Sequence, residues 1–296
     1  MRRQRRIPEA SPIMQRAVQA MMDDEQFAAH EAHEAKHWWF TARRRIVISF
    51  AQKLLDGYES PTVLDIGCGT GGTVAELSRF YRTIGVDPSP AAILRARRRY
   101  PHCVFVEGAA PEAVSEHLVN VSLVTMMDIL EHVADDESLL RANVLAARPG
   151  TWFLITVPAD MSLWSEHDVV LGHYRRYGAT GLATLWRDLP VSCHVLAPMN
   201  TRLEPFIRLI RRMPAGLRFT RGAAGTDLRL PAKPVNELLH RIFSGEAKSL
   251  LRRLKERDTS AHGRGVSLLA VLRRLPHRDA SDANLAIGLT RPTAKF

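Results

Sequence analysis

Cysteine is scarce, with three residues in a chain of 296, at Cys68, Cys103 and Cys193. They are odd in number and scattered, and no C-x-x-C pair occurs. That spacing argues against a disulfide framework, a zinc knuckle or a dithiol couple, and points to a reducing compartment. Long apolar runs are missing too. No stretch approaches the roughly 18 residues a membrane span needs. The basic opening Met1-Arg2-Arg3-Gln4-Arg5-Arg6 leads into no apolar signal core, so a cytoplasmic protein without a leader is expected. Acidic charge is short as well, 31 Asp and Glu against 41 Lys and Arg, a net charge of +10. Such an excess admits an acidic partner, whether nucleic acid, phospholipid or a phosphorylated substrate, without choosing among them. Apolar residues are plentiful at 46%, and the length is ample for a buried core.

One stretch organises the rest. Val63-Leu64-Asp65-Ile66 is a short apolar strand running into Gly67-Cys68-Gly69-Thr70-Gly71-Gly72, after which Val74 and Leu77, with Phe80 or Tyr81, share one helical face. Glycines there let the backbone adopt positive φ and approach a ligand closely. Gly67, Gly69 and Gly72 also spell G-x-G-x-x-G, a dinucleotide signature. Asp65 opposes that reading: a carboxylate just before the first glycine repels a pyrophosphate and attracts an ammonium or sulfonium group. A second strand, Thr83-Ile84-Gly85-Val86-Asp87, ends in another acid. In an open α/β sheet ligands sit beyond the carboxyl ends of the strands, where both acids fall.

The run Asp65-Ile66-Gly67-Cys68-Gly69-Thr70-Gly71 resembles the first motif of class I methyltransferases that use S-adenosylmethionine (SAM). The likeness continues in His37-Trp38-Trp39-Phe40, Asp128-Ile129-Leu130-Glu131-His132, Leu163-Trp164-Ser165-Glu166-His167-Asp168 and Gly172-His173-Tyr174-Arg175-Arg176-Tyr177, and covers about residues 30–274. It extends to Asn200, to Asn236 and to the strand from Gly265. It implies an α/β fold with a Rossmann-like, seven-stranded doubly wound sheet, N-terminal helices and a helical cap inserted before the last strand. It also implies SAM as cofactor, held by Asp65, Gly67, Cys68, Gly69 and Gly71, by Asp87 on the ribose, and by Asp128. Where the family usually carries an aspartate for the adenine amino group stands Ala109, which leaves backbone contact. Trp39 and Arg43 share a helix side and either pack in the core or lid the cofactor, the arginine pairing with its carboxylate.

For the acceptor side, the long polar loop after the fifth strand offers Trp164, Asp168, Arg175, Arg176 and Tyr177 as substrate contacts and His167 and His173 as bases, with His132 the rival base. Asp128 and Glu131 equally suit a helix capping box. His30 and His33 sit at i and i+3 without a third ligand, which favours a solvated helix face over a metal site.

The expected organisation is a disordered basic stretch 1–12, N-terminal helices 13–57, a cofactor core 58–198 with 264–274, a basic cap 199–263, and a disordered tail 275–296. Residues 199–263 hold fourteen Lys and Arg against six Asp and Glu. Within them Phe206, Ile207, Ile210 and Met213 form a stripe flanked by Arg208, Arg211 and Arg212. That stripe suits either an anionic acceptor or peripheral membrane contact, or simple docking of the cap. The expected reaction is methyl transfer, to oxygen, on a small-molecule, glycan, lipid-linked or secondary-metabolite acceptor. RNA methylation is the alternative favoured by charge, although the fourth strand lacks the Asp/Asn-Pro-Pro-aromatic element of base methyltransferases. A nicotinamide oxidoreductase comes third, weakened by Asp65.

Overall fold

A computed structural model describes residues 24–213 and 229–276. The expected disordered start, the first part of the N-terminal helical region, the middle of the cap and all of the tail beyond Pro276 lie outside the described residues.

Seven strands form one sheet in the order β3-β2-β1-β4-β5-β7-β6. They are β1 (Thr62–Ile66), β2 (Arg82–Asp87), β3 (Val104–Glu107), β4 (Val121–Met127), β5 (Trp152–Pro158), β6 (Val191–Met199) and β7 (Ser267–Arg274). The first five are parallel, whereas β7 runs antiparallel to both β5 and β6. Order reverses at β1, which pairs with β2 on one side and β4 on the other. This is the switch point at which such sheets bind ligands.

Strand residues alternate between two packed layers, as the period of two requires. Leu64, Val124, Ile155 and Ala270 face one layer, which contains α6 (Asp136–Ala146) through Leu140 and Val144, and α8 (Ala179–Thr184) through Leu182. Val63, Leu123, Leu154 and Leu269 face the other, against Ile46, Val47 and Phe50 of α2 (Trp38–Leu54). Short apolar contacts complete the glycine-loop corner, where Val74 of α3 (Gly72–Leu77) meets Ile93 and Ala96 of α4 (Pro90–Arg99) and Phe105. The remaining helices are α1 (Asp24–Glu34), α5 (Ser115–Leu118), α7 (Glu166–Val170), α9 (Glu204–Arg212), α10 (Lys233–Ser244) and α11 (Ala247–Glu256).

α3 stops at Leu77; of the two aromatics offered to its face, Tyr81 packs against the core and Phe80 is 52% exposed. α2 begins at Trp38, where His37 takes an extended conformation and accepts the Trp39 amide as its N-cap.

The segment between β6 and β7 is helical. α10 and α11 seat Phe243 and Leu250 against the α2 layer, and Asn236 ties α10 to the start of α2 by accepting the Trp38 amide at 2.9 Å and donating to the Lys36 carbonyl at 2.9 Å. On α9, Ile207 packs against the core while Phe206 stays 66% exposed. Two of its three flanking arginines are held by the protein: Arg208 donates to Asp160 (2.5 Å) and Ser162 Oγ (2.6 Å) and pairs with Glu204, and Arg211 donates to the Leu163 carbonyl, whereas Arg212 is exposed. Arg208 and Arg211 thus fasten α9 to the loop after β5, in keeping with the docking alternative. Among the described residues no helix is long and apolar enough to cross a membrane.

Phe50 is fully buried where α2 meets the sheet. Phe50→Ala is expected to lower unfolding stability by about 3–5 kcal/mol, through lost transfer energy and the cavity left behind. Chemical denaturation of both proteins checks it; a loss under about 1 kcal/mol would show that α2 does not anchor the layer.

Candidate active site

The glycine loop is stitched to the end of β2. Gly67 and Cys68 amides both donate to the Val86 carbonyl (2.8 and 3.1 Å), and the Gly69 amide donates to Asp87 Oδ2 at 2.9 Å. Asp87 Oδ1 accepts the Ser89 amide at 2.9 Å. Gly67 has φ 69°, and a Cβ there would lie 2.0 Å from Ile129, so the crossing of loop and fourth-strand turn tolerates glycine alone.

Asp65 lies buried beside this crossing and accepts a hydrogen bond from Thr125 Oγ1 at 2.5 Å. Burial pushes its pKa up to about 7, against the hydrogen bond from Thr125 and the charge of Arg43. A carboxyl so placed lacks a full counter-charge, and a cationic ligand would supply one. Glu34 of α1 is the unforeseen partner. Its carboxylate accepts from the Gly72 amide and the Thr70 hydroxyl and pairs with Arg99. The amides at the start of α3, where a dinucleotide pyrophosphate would bind, therefore already face a protein carboxylate. The residues fit a cationic cofactor and resist a phosphorylated one.

Asp128 does not form the capping box with Glu131. It adopts φ 58°, pairs with Arg43 and accepts from Thr156 Oγ1 at 3.1 Å, and residues 130–132 make only a single 3-10 turn. Arg43 also stacks on Trp39, with its guanidinium carbon 4.4 Å from the ring centroid. The capping box forms instead in the loop after β5, between Ser165 and Asp168.

Asp168 has no exposed surface and is the centre of that loop. Its Oδ1 lies 2.9 Å from His173 Nδ1 and accepts from Arg176 Nε at 2.8 Å, while Oδ2 accepts the Ser165 amide at 2.9 Å. Burial opposes its charge, but the bonds from His173 and Arg176 outweigh burial and hold the carboxyl well below the usual range. Because an ionised carboxylate only accepts, it is Nδ1 of His173 that donates to Asp168. His173 stands edge-on to His132, ring centroids 4.6 Å apart, and 6.4 Å from His167. Burial lowers both His132 and His167 to about 3, leaving them neutral.

These groups share one cavity of about 1030 Å³ beyond the carboxyl ends of the central strands. Of the residues expected from sequence, the cavity brings together Asp65, Gly67, Cys68, Gly69, Asp87, Asp128, Trp39, Arg43, His132, His167, His173 and Arg176. Gly71, Ala109, Trp164, Asp168, Arg175 and Tyr177 lie outside its lining. Tyr177 is buried in the core with its hydroxyl on Asp136 at 2.6 Å, and Arg175 pairs with the same Asp136 at 2.6 Å. Both brace the loop against α6. Gly71 is the left-handed turn before α3, with φ 85°. The cavity lining also includes residues that sequence reasoning had not singled out for chemistry: Glu34, Glu131 and Asn200.

A family profile described as "Methyltransferase domain" matches residues 32–203. The chain belongs to the methyltransferase-domain family. Its fold is that of a class I, SAM-dependent methyltransferase. Among curated proteins it is 30% identical over 142 residues to the ubiquinone biosynthesis O-methyltransferase of Escherichia coli O6:H1, an alignment covering 44% of this chain and 59% of that protein. The chain thus spans little more than half the length of the curated relatives it matches. Among solved structures it resembles the putative methyltransferase complexed with the Trm112 activator of Haloferax volcanii (TM-score 0.51, 19% identity, 86% of this chain and 97% of that one). It also resembles the plantazolicin methyltransferase BamL, crystallised with a desmethylPZN analogue and SAH (TM-score 0.52, 15% identity, 90% of this chain and 100% of that one). At such identities the structures speak for the fold.

If Asp65 faces the SAM cation, its raised pKa makes cofactor binding pH-dependent. Below about 7 the carboxyl is protonated and attracts a cation less, so SAM affinity is expected to rise as pH increases through that value. Asp65→Asn should bind SAM about ten- to a hundredfold more weakly, from loss of roughly 1.5–3 kcal/mol, and lose that part of the pH dependence. Calorimetric titration at several pH values measures both, and wild-type affinity in the variant would remove Asp65 from the cofactor site.

Proposed function

We propose that this chain transfers the SAM methyl group to a hydroxyl oxygen of a small acceptor with an apolar body. In this reading Asp65 faces the methionyl ammonium, Asp87 the ribose hydroxyls and the glycine-loop backbone the rest of the cofactor. Ala109 lies outside the cavity lining, so recognition of adenine falls to backbone groups. Trp39 and Arg43 close the methionine end.

The observation that carries the reading is the two-sided character of the cavity. Toward the cap it is walled by Leu203, Ile207, Ile210, Leu239 and Ile242; toward the strand ends, His132, His167, His173 and Asn200 converge. Apolar lining with a few convergent polar groups is how proteins bind small ligands of mixed character. Asn200 is fully buried and neither its amide nitrogen nor its oxygen has a protein partner among the described residues. Such a group costs free energy unless a ligand satisfies it, so it is assigned the orientation of a polar acceptor group. The histidine wall is where the acceptor hydroxyl gives up its proton. Methylation of oxygen agrees with the printed name of the Escherichia coli relatives. Against RNA as acceptor, Arg208 and Arg211 are committed to protein oxygens.

Incubation of the protein with SAM and a panel of phenolic and other hydroxylated apolar compounds should give products heavier by one methyl group. With an accepted compound, Asn200→Ala should raise KM about tenfold, the worth of one hydrogen bond to a buried polar group. His173→Ala should lower kcat roughly 10²–10⁴-fold while SAM affinity holds. Methyl label found in RNA and in no small molecule would overturn the proposal.

A further inference from the structure

Glu131 is a carboxylate in the wrong company. It has no exposed surface, and neither of its oxygens has a hydrogen-bond partner among the described residues beyond its own backbone amide. The nearby guanidinium groups are engaged elsewhere, Arg43 with Asp128 and Arg176 with Asp168. A buried carboxyl so poorly supplied with donors is costly for a fold to keep, and burial pushes it well above the usual carboxylate range.

Two imidazoles stand beside it. One ligand atom each from Glu131, His132 and His173 fall within 4.8 Å of one another. The convergence is built in by the backbone, since the Tyr174 amide donates to the Glu131 carbonyl at 2.7 Å and holds the His173 segment against the 3-10 turn that carries Glu131 and His132. Both imidazoles are also pre-set as ligands. Nδ1 of His173 donates to Asp168, so Nε2 is the nitrogen presented to a ligand, and the Leu171 carbonyl accepts from one nitrogen of the His132 ring, so the other is presented. A ligating histidine whose second nitrogen donates to a carboxylate or carbonyl is the usual arrangement around bound metals.

We propose that Glu131, His132 and His173 form a binding site for a divalent first-row cation, and that zinc is the ion its donors suit best. Two imidazole nitrogens and one carboxylate are the ligand set of open zinc sites, which leave a fourth position for a substrate or water; an all-oxygen set would have favoured magnesium or calcium. Zinc bonds of about 2.0–2.2 Å place tetrahedral donors roughly 3.4 Å apart, so the group closes by side-chain movements of about an ångström.

The catalytic consequence rests on the O-methyl transfer reading above. An acceptor hydroxyl in the open position would release its proton more readily, to His167 of the same histidine wall, the cation stabilising the oxyanion. The oxygen lone pair then forms the new O–CH3 bond as the S–CH3 bond breaks, its electron pair staying on sulfur to give the neutral thioether.

The test begins with the full chain stripped by a chelator, then titrated with zinc chloride in a calorimeter and assayed for metal content after gel filtration. One zinc per chain is expected. Glu131→Gln and His132→Ala should each weaken zinc binding at least tenfold with SAM affinity retained as the check on folding, and Asp168→Asn should weaken it less. Failure of the wild-type chain to bind zinc overturns the site, and so does zinc held equally well by the triple variant Glu131→Gln, His132→Ala, His173→Ala, which would place the ion on other histidines. The two proposals separate cleanly: stoichiometric zinc lost in the variants keeps the site even if no hydroxylated acceptor is methylated. Methylation indifferent to chelator would confine the ion to a structural role and remove the catalytic step.

Discussion

The charge on Asp168 is what the acceptor side of this methyltransferase is built around. A carboxylate sealed from water survives only if every lone pair is answered, and here the answers come from His173, Arg176 and the Ser165 amide, with Arg211 at 4.0 Å. Each answer has a structural effect. Arg176 reaches back to the Ala159 carbonyl at 3.1 Å and so returns the loop to the end of β5. His173 is turned so that one nitrogen faces inward and the other toward the cavity. Without that centre, the stretch from Ala159 to Tyr177 has short helices of a few residues and little apolar surface to fix it.

The cofactor side obeys a different balance. Its acids are buried with fewer partners than they can accept, and burial accordingly raises both Asp65 and Asp87. The acids cluster at the strand ends while the chain as a whole is basic, so the local groups of this corner differ in sign from the net charge.

Much of this was legible in the sequence. The seven strands announce themselves as apolar, β-branched runs bounded by glycine, proline and aspartate, and the glycine loop carries its own geometric requirement. Less legible was the fate of polar side chains in the loop after β5. Arg175 and Arg176 are adjacent and alike, yet one pairs with Asp136 on the outside of the loop and the other with Asp168 inside; only the path of the chain decides. The Asp128 and Glu131 spacing fits a capping box, but the left-handed backbone at Asp128 and the pull of Arg43 turn the two carboxylates apart. Glu34 lies outside any motif, and its contact with Gly72 depends on how α1 crosses the loop, a long-range relation no local pattern encodes. Asn200 belongs to the family likeness, but its unpartnered amide is visible only once its burial is seen.

β6 ends at Met199 and β7 begins at Ser267, and those two residues are register partners in the sheet. The whole excursion through α9, α10 and α11 therefore leaves and rejoins the scaffold at a single rung. Loop-closure entropy grows only slowly with length, so segments of very different size and composition can be spliced at that rung without disturbing the pairing of the strands or the glycine loop on the far side of β1. The helical cap and the glycine loop are in this way attached at separate places on one sheet.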